Sequence, residues 1–367
     1  MKRTDGKSPQ LFQFGSDTGP SVHLYADGDS IGRKVRASSL SNVGIARRCC
    51  NDKGAGLWQR SHRLPVEISF DADETAFASR DALDFTPRAS THAPMSNDMR
   101  VADVWANYWD VAYFKTYPQM QHLYDRLGMP QRAAVTAKML RDEAAAGGVS
   151  RIVLSATDFP GTPVDNRKIA EVIAEAPDLL VGCASVDPRR GMEGVRELRR
   201  AVTEDGMIAY KVLPFLYGAP SNDAIYYPFY AACVDLGIPA LVLAGHTAVM
   251  EKSDYGRPLY LDDVALYFRD LTIVAGHAGF PWTDELIGLA WKHEKVFIDT
   301  SGHRPKYLPP ALKHFLNSYG RDKVLFGTGY PFMDYARPVA DVREMDLRPE
   351  SRDAFLWGNA ARLWGWT

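Results

Sequence analysis

Cysteine is scarce: the chain of 367 residues contains four. So few, in a chain this long, exclude a disulfide framework. Cys183 and Cys233 fall in segments that read as a buried strand and a helix, where core packing is the plain reading. Cys49 and Cys50 are adjacent and lack C-x-x-C spacing, so they suggest neither zinc nor a redox site. An excess of one charge is also missing. The 43 basic and 45 acidic residues leave a formal charge of −2, so no bulk field draws nucleic acid or an anionic membrane. No window approaches the ~18 consecutive apolar residues of a membrane span. Met1-Lys2-Arg3 is not followed by the apolar stretch of a secretory signal. A cytoplasmic protein is the expectation. Apolar content itself is ample: 46% of the residues are hydrophobic, enough for one large core or two medium ones.

The chain divides into two unlike parts. Residues 1–98 mix Ser, Asp, Arg and Gly with scattered apolar residues and show no sustained helical or strand period. Leu64–Phe70 (LPVEISF) is the stretch there that reads as a strand. The region is expected to be a weakly ordered extension; a small domain packed on the rest is the rival reading. Met95-Ser-Asn-Asp-Met99 lies just ahead of the first regular strand and is a plausible natural start. From Arg100 onward, apolar runs of strand length alternate with amphipathic stretches, the pattern of βα units around a parallel sheet. The strand runs are Val101–Val104, Arg151–Ala156, Leu179–Val186, Met207–Leu213, Pro239–His246, Leu271–His277, Lys295–Asp299 and Lys323–Gly327. The helices between them are expected at Gln131–Gly147, Asn166–Glu175, Met192–Glu204, Tyr226–Leu236, Leu261–Phe268, Thr283–Trp291 and Pro309–Asn317, with Ser351–Trp364 closing the chain. Eight such units over ~270 residues match a (β/α)₈ TIM barrel. A doubly wound sheet would carry a glycine-rich phosphate turn after its first strand, and no G-x-G-x-x-G follows Val104.

In such a barrel the active site lies at the C-terminal ends of the strands. The fifth run ends in His246, the sixth in His277, and the seventh in Asp299-Thr300-Ser301 with His303 beyond. The fourth carries Lys211, and the first ends in Asp103, Trp105 and Asn107. Two histidines ending successive strands face one cavity. Aromatics crowd the same rim: Trp105, Tyr108, Trp109, Tyr113 and Phe114 after the first strand, Phe215 and Tyr217 after the fourth, Phe280 and Trp282 after the sixth. Such a rim lines a flat apolar pocket suited to an aromatic or unsaturated ring.

The ordered series His246, Gly276-His277-x-Gly279 before Pro281, Ile298-Asp299-Thr300-Ser301, Leu325-Phe326-Gly327-Thr328-x-Tyr330-Pro331 and the terminal Phe355-Leu356-Trp357-Gly358-Asn359-Ala360-Ala361-Arg362-Leu363 resembles the amidohydrolase-related family that includes aminocarboxymuconate-semialdehyde and γ-resorcylate decarboxylases. The resemblance runs from about Arg100 to Thr367. It implies a hydrolase or a carboxy-lyase acting on a small cyclic or aromatic acid at a divalent metal, usually zinc, and a homodimer. In that family the first strand ends Asp-x-His-x-His and both histidines bind metal. Here the same place reads Asp103-Val104-Trp105-Ala106-Asn107, and the family's last-strand Asp falls on Gly329. Trp cannot ligate and a neutral amide is a poor zinc ligand. His246 stands at a ligand position and His277 at that of the catalytic histidine.

His277 is therefore the expected general acid/base, with His246 a metal ligand or a polar anchor. Lys211 binds a substrate carboxylate or is a strand lysine paired with an acid. Asp103 and Asp299 orient the histidines or shuttle protons, or bond backbone at strand ends. Trp105, Asn107, Trp109, Phe215, Trp282 and Tyr330 are the expected substrate contacts. His303 reads as a loop residue, and Asp334 as a stand-in for the lost Asp. The rival from another class is a catalytically inactive barrel that binds a ligand or partner; a lactonase or cyclase without metal is a third reading.

Overall fold

The computed structural model describes residues 99–129, 132–162 and 164–367, together with two short strands, Leu11–Phe14 and Val22–Tyr25. The chain forms two compact units, Met1–Arg88 and Ala89–Thr367. In the first, the two short strands pair antiparallel with Leu11 opposite Tyr25, a pairing not expected from the sequence. Cys49, Cys50, Leu64–Phe70 and most of Met95–Met99 lie outside the described residues.

The second unit is built on eight parallel strands: β1 (Ala102–Asn107), β2 (Arg151–Ser155), β3 (Leu180–Ser185), β4 (Met207–Val212), β5 (Ala240–Leu243), β6 (Ile273–Gly276), β7 (Val296–Asp299) and β8 (Val324–Leu325). They are hydrogen-bonded in chain order. Beyond β8 the chain returns to β1 and closes the ring. The Val104 amide donates to Phe326 O at 3.1 Å, Asn107 to Tyr330 O at 2.8 Å, and Gly329 to Trp105 O at 2.9 Å. The expected (β/α)₈ barrel is the architecture. Its strands read as continuous apolar runs because helices cover their outer face while side chains fill the interior. Val104, Ile152, Leu154, Val212, Val242, Ile273, Val274 and Ile298 are all fully buried.

Two departures matter for the site. After β1 the chain forms two helices, Val111–Thr116 and Pro118–Leu127, where only an aromatic loop was expected. Asp110 caps the first by accepting the Tyr113 amide at 2.9 Å. Pro118 starts the second, since a proline at the first helical turn sacrifices no hydrogen bond, and Gly128 ends it at φ 62. The following helix begins at Ala137, behind the Thr136 cap, rather than at Gln131. At the end of the chain the expected closing helix is present: Pro349–Asp353, a wider π-helical turn over Ala354–Gly358 and Asn359–Trp364 follow one another without a break. Among the described residues, no helix is long and apolar enough to cross a membrane.

Candidate active site

A cavity of about 280 Å³ opens at the C-terminal ends of the strands. Trp105 and Asn107 enter it from β1, Trp109 from the next loop, and Phe215 from the segment after β4. His246, His277 and His303 follow β5, β6 and β7. Met120, Leu123 and Leu127 of the unexpected helix form its roof. Among the described residues, the lining is mostly apolar and contains no Arg, Lys, Asp or Glu.

Asn107 is fixed from two sides. Its Nδ2 donates to Tyr330 O at 2.8 Å, and its Oδ1 accepts from the Lys211 ammonium. Lys211 also donates to Ser155 Oγ at 2.7 Å, and its Nζ lies 5.0 Å from the centre of the Trp105 ring. Burial pushes its pKa down to about 8, because a charged group loses hydration there. Lys211 therefore sits behind the cavity wall, holding Asn107.

His277 is placed by an unusual backbone. It and Ala278 both adopt positive φ, 64° and 54°. The ring lies 5.1 Å from Trp105. Its Nδ1 is 3.1 Å from Ser301 O and 2.8 Å from Ser301 Oγ. A carbonyl only accepts, so Nδ1 carries the proton and Nε2, on the other edge of the ring, is left with its lone pair. Ser301 Oγ in turn donates to Asp299 Oδ2, and the Ser301 amide donates to Asp299 Oδ1 at 3.1 Å. Hydrogen-bond directions thus run unbroken from His277 through Ser301 to Asp299. The chain needs Gly327: a Cβ there would stand 2.0 Å from Asp299 Oδ1.

Burial shapes the charges. It drives the His277 imidazole down to about 3, with His303 and Lys211 adding repulsion. It pushes Asp299 up to about 7, with the Asp103 charge adding to the effect, and raises Asp103 to about 6. Asp103 itself is a strut. It accepts from the Trp105 amide at 3.1 Å, the Thr328 amide at 2.9 Å and Thr328 Oγ1 at 2.6 Å, binding β1 to the segment after β8.

The expected residues thus separate into three sets. Trp105, Asn107, Trp109, Phe215, His246 and His277 line the cavity, and His303 joins them. Lys211 and Asp299 lie behind it, hydrogen-bonded to Asn107 and Ser301. Trp282 and Tyr330 face elsewhere. Trp282 is half-buried at the start of helix Thr283–Lys292. Tyr330 is fully buried, stacked on Tyr335 at 5.0 Å, with its hydroxyl receiving Arg132 Nη1 at 2.6 Å. Asp334 is exposed and caps Arg337 at 2.9 Å, outside the cavity lining. Ser301 was not foreseen. Its spacing was the available signal: positions i and i+2 at the end of a strand share a face, so Asp299 and Ser301 belong together.

A family model described as amidohydrolase matches residues 102–366. The chain belongs to the amidohydrolase family. A curated relative, 2-amino-3-carboxymuconate-6-semialdehyde decarboxylase of Dictyostelium discoideum, is 22% identical over 242 residues. That match covers 54% of this chain and 65% of the relative, so the chain spans under two thirds of that relative's length. Among solved structures, an uncharacterised TIM-barrel protein of Bordetella bronchiseptica superposes with TM-score 0.61 at 23% identity, covering 73% of this chain and 99% of that one. The 5-carboxyvanillate decarboxylase of Novosphingobium aromaticivorans, complexed with manganese and 4-hydroxy-3-methoxy-5-nitrobenzoic acid, gives TM-score 0.59 at 16% identity, covering 73% and 96%. At these identities the superpositions establish the fold.

A divalent metal does not fit this amidohydrolase-family site. Among the described residues, no group of three or more His, Cys, Asp and Glu side chains is placed to hold one. Trp105 offers no donor, and the Asn107 oxygen is a neutral amide acceptor already facing the Lys211 ammonium, a poor ligand for a divalent cation. Gly329 has φ 73, and a Cβ there would stand 3.0 Å from the Gly302 amide. The Lys211 ammonium stands against Asn107 and Trp105, repelling a second cation. Catalytic zinc sites keep three protein ligands, and His246 and His277 fall short of that.

Proposed function

We propose that this amidohydrolase-family enzyme hydrolyses a small cyclic or aromatic acid derivative, an ester or lactone, with His277 as general base and no divalent metal. The hydrogen-bonded series Asp299–Ser301–His277 carries the reading. It leaves His277 Nε2 unprotonated and offers a carboxylate, through Ser301, to stabilise the imidazolium that forms. Water bound at Nε2 gives up a proton as its oxygen bonds to the substrate carbonyl carbon. The tetrahedral adduct then collapses, the C–O bond breaks, and the imidazolium returns the proton to the departing oxygen. Asn107, set by Lys211, and the rings of Trp105, Trp109 and Phe215 hold a flat substrate. The cavity volume suits a single ring with few substituents.

The second reading is a carboxy-lyase on the same class of acid, favoured by the decarboxylase names of the relatives. It asks His277 to deliver a proton to carbon as CO₂ leaves. Burial weighs against this, because it keeps the imidazole neutral at pH 7. The test is a panel of aryl esters, lactones and free benzoic acids in ¹⁸O-water, with His277→Gln beside the wild type. The expected result is ¹⁸O in a carboxylic acid product, absent in the variant. CO₂ release in place of ¹⁸O incorporation moves the assignment to the carboxy-lyase. No turnover of any compound leaves the inactive, ligand-binding barrel.

A further inference from the structure

We propose that His246 and His303 form an anion-holding pole at the cavity mouth, so that the substrate carries one carboxylate and enters with it trailing. This deepens the reading above, resting on the cavity being a substrate site and not on which bond is broken.

His246 Nδ1 is buried with no hydrogen-bond partner. Buried polar atoms are rarely left so, and this ring borders the cavity. The His303 ring lies 6.4 Å from the His246 ring, centre to centre, and Phe280 packs on both at 5.3 Å. The His246 backbone is pinned as well, its amide donating to Phe280 O at 2.7 Å. The two imidazoles thus stand side by side in the cavity lining, held by the same phenyl ring.

Elsewhere the cavity offers a carboxylate little. Among the described residues no Arg or Lys lines it, Lys211 is spent on Asn107 and Ser155, and Trp105, Trp109 and Phe215 are rings. A carboxylate pushed to that end would lose its hydration without return. At the mouth the balance reverses. His246 also borders a shallow outer groove lined by Arg126, Glu251 and Lys252, where two cations face one acid. An incoming anion is drawn to this groove, and its carboxylate comes to rest on the two histidines while its ring passes inward to His277.

The test needs no turnover. Binding of benzoate, and of benzamide as its neutral analogue, is followed by calorimetry and by the change in tryptophan fluorescence, to which the cavity residues Trp105 and Trp109 contribute. Wild type is compared with His246→Phe and His303→Phe, which keep the ring volume. The expected result is a preference of about tenfold or more for benzoate in the wild type, as charge-assisted hydrogen bonds confer, reduced to near parity in each variant. Equal affinities in the wild type overturn the proposal, and that comparison stands even if a variant does not fold. A preference retained in both folded variants overturns it too. A wild type that prefers benzoate yet hydrolyses nothing leaves the pole standing and removes the hydrolase reading.

Discussion

Replacing Ser301 by alanine removes one oxygen atom and severs the link between His277 and Asp299. The oxygen donates to a buried carboxylate and accepts from the imidazole at 2.8 Å. Hydrogen bonds to charged groups contribute about 1.5–3 kcal/mol, and the exchange opens almost no cavity. Stability in denaturant should therefore fall by about 2 kcal/mol. The base itself remains, so catalysis does not vanish. The imidazolium loses its path to the carboxylate, and kcat should drop about tenfold to a hundredfold, about 1.4–2.8 kcal/mol of barrier. KM should change little, because Ser301 does not line the cavity. The pH profile separates this role from a structural one. Hydrogen bonds from Ser301 lower the Asp299 pKa against the burial that lifts it to about 7. Losing one of them raises it further, so the low-pH limb of kcat, which follows ionised Asp299, should move to higher pH. Ser301→Cys, with its weaker donor, should fall between the two. The assay is a pH–rate profile on the fastest ester or lactone of the panel. An unchanged kcat with an unmoved limb would refute the series as a working unit.

Three further outcomes are expected. Gly327→Ala drives a Cβ to 2.0 Å from Asp299 Oδ1 and should cost about 3 kcal/mol or more by overpacking, read as a loss of thermal stability together with activity. Lys211 has a folded pKa of about 8 against an ordinary 10.5. The depressed value means its neutral form favours folding, so that contribution is complete above 10.5 and is lost as pH falls through 8. Wild-type stability should gain about 3 kcal/mol from this group between those pH values, and urea titrations of Lys211→Met should show no such rise. Dialysis against EDTA should leave the ester or lactone turnover within about twofold and the melting temperature unmoved, since a ligand bound only to the folded state would have raised it; a large loss restored by zinc would show that other groups rebuild a metal site.

The barrel was legible because its strands are buried on both faces and its helices carry strong periodic stripes. Leu179–Val186 and Leu271–His277 have no polar alternation to blur them. The helices over Val111–Leu127 were missed because their aromatics were assigned to the rim; Tyr113, Tyr117, Met120 and Tyr124 are in fact spaced three and four apart, and Pro118 breaks the stripe in the middle. At the site, His246 and His277 could be found because strand ends locate them. Tyr330 could not. It follows Gly329, whose φ of 73° turns the chain so that the ring packs outward on Tyr335, a local geometry that no periodicity records. Ser301 escaped because Asp299 was weighed alone instead of with its neighbour on the same face. The roles of Lys211 and Asp103 depend on contacts across 104 and 225 positions of chain, and nothing local foretells such contacts.

The elbow at His277 and Ala278 sets folding against use. Residues with side chains rest poorly at φ 64° and 54°, at a cost of about 1–3 kcal/mol each. Glycine at 278 would relieve half of the strain, and glycine at 277 the rest, along with the imidazole that lines the cavity. In a lineage whose barrel no longer needed to react, these two positions would be among the first to drift toward glycine or asparagine, since each step would strengthen the fold. Where descendants keep a histidine in that left-handed turn, selection on the chemistry is still holding it there, and the elbow serves as a gauge of whether the barrel is in use.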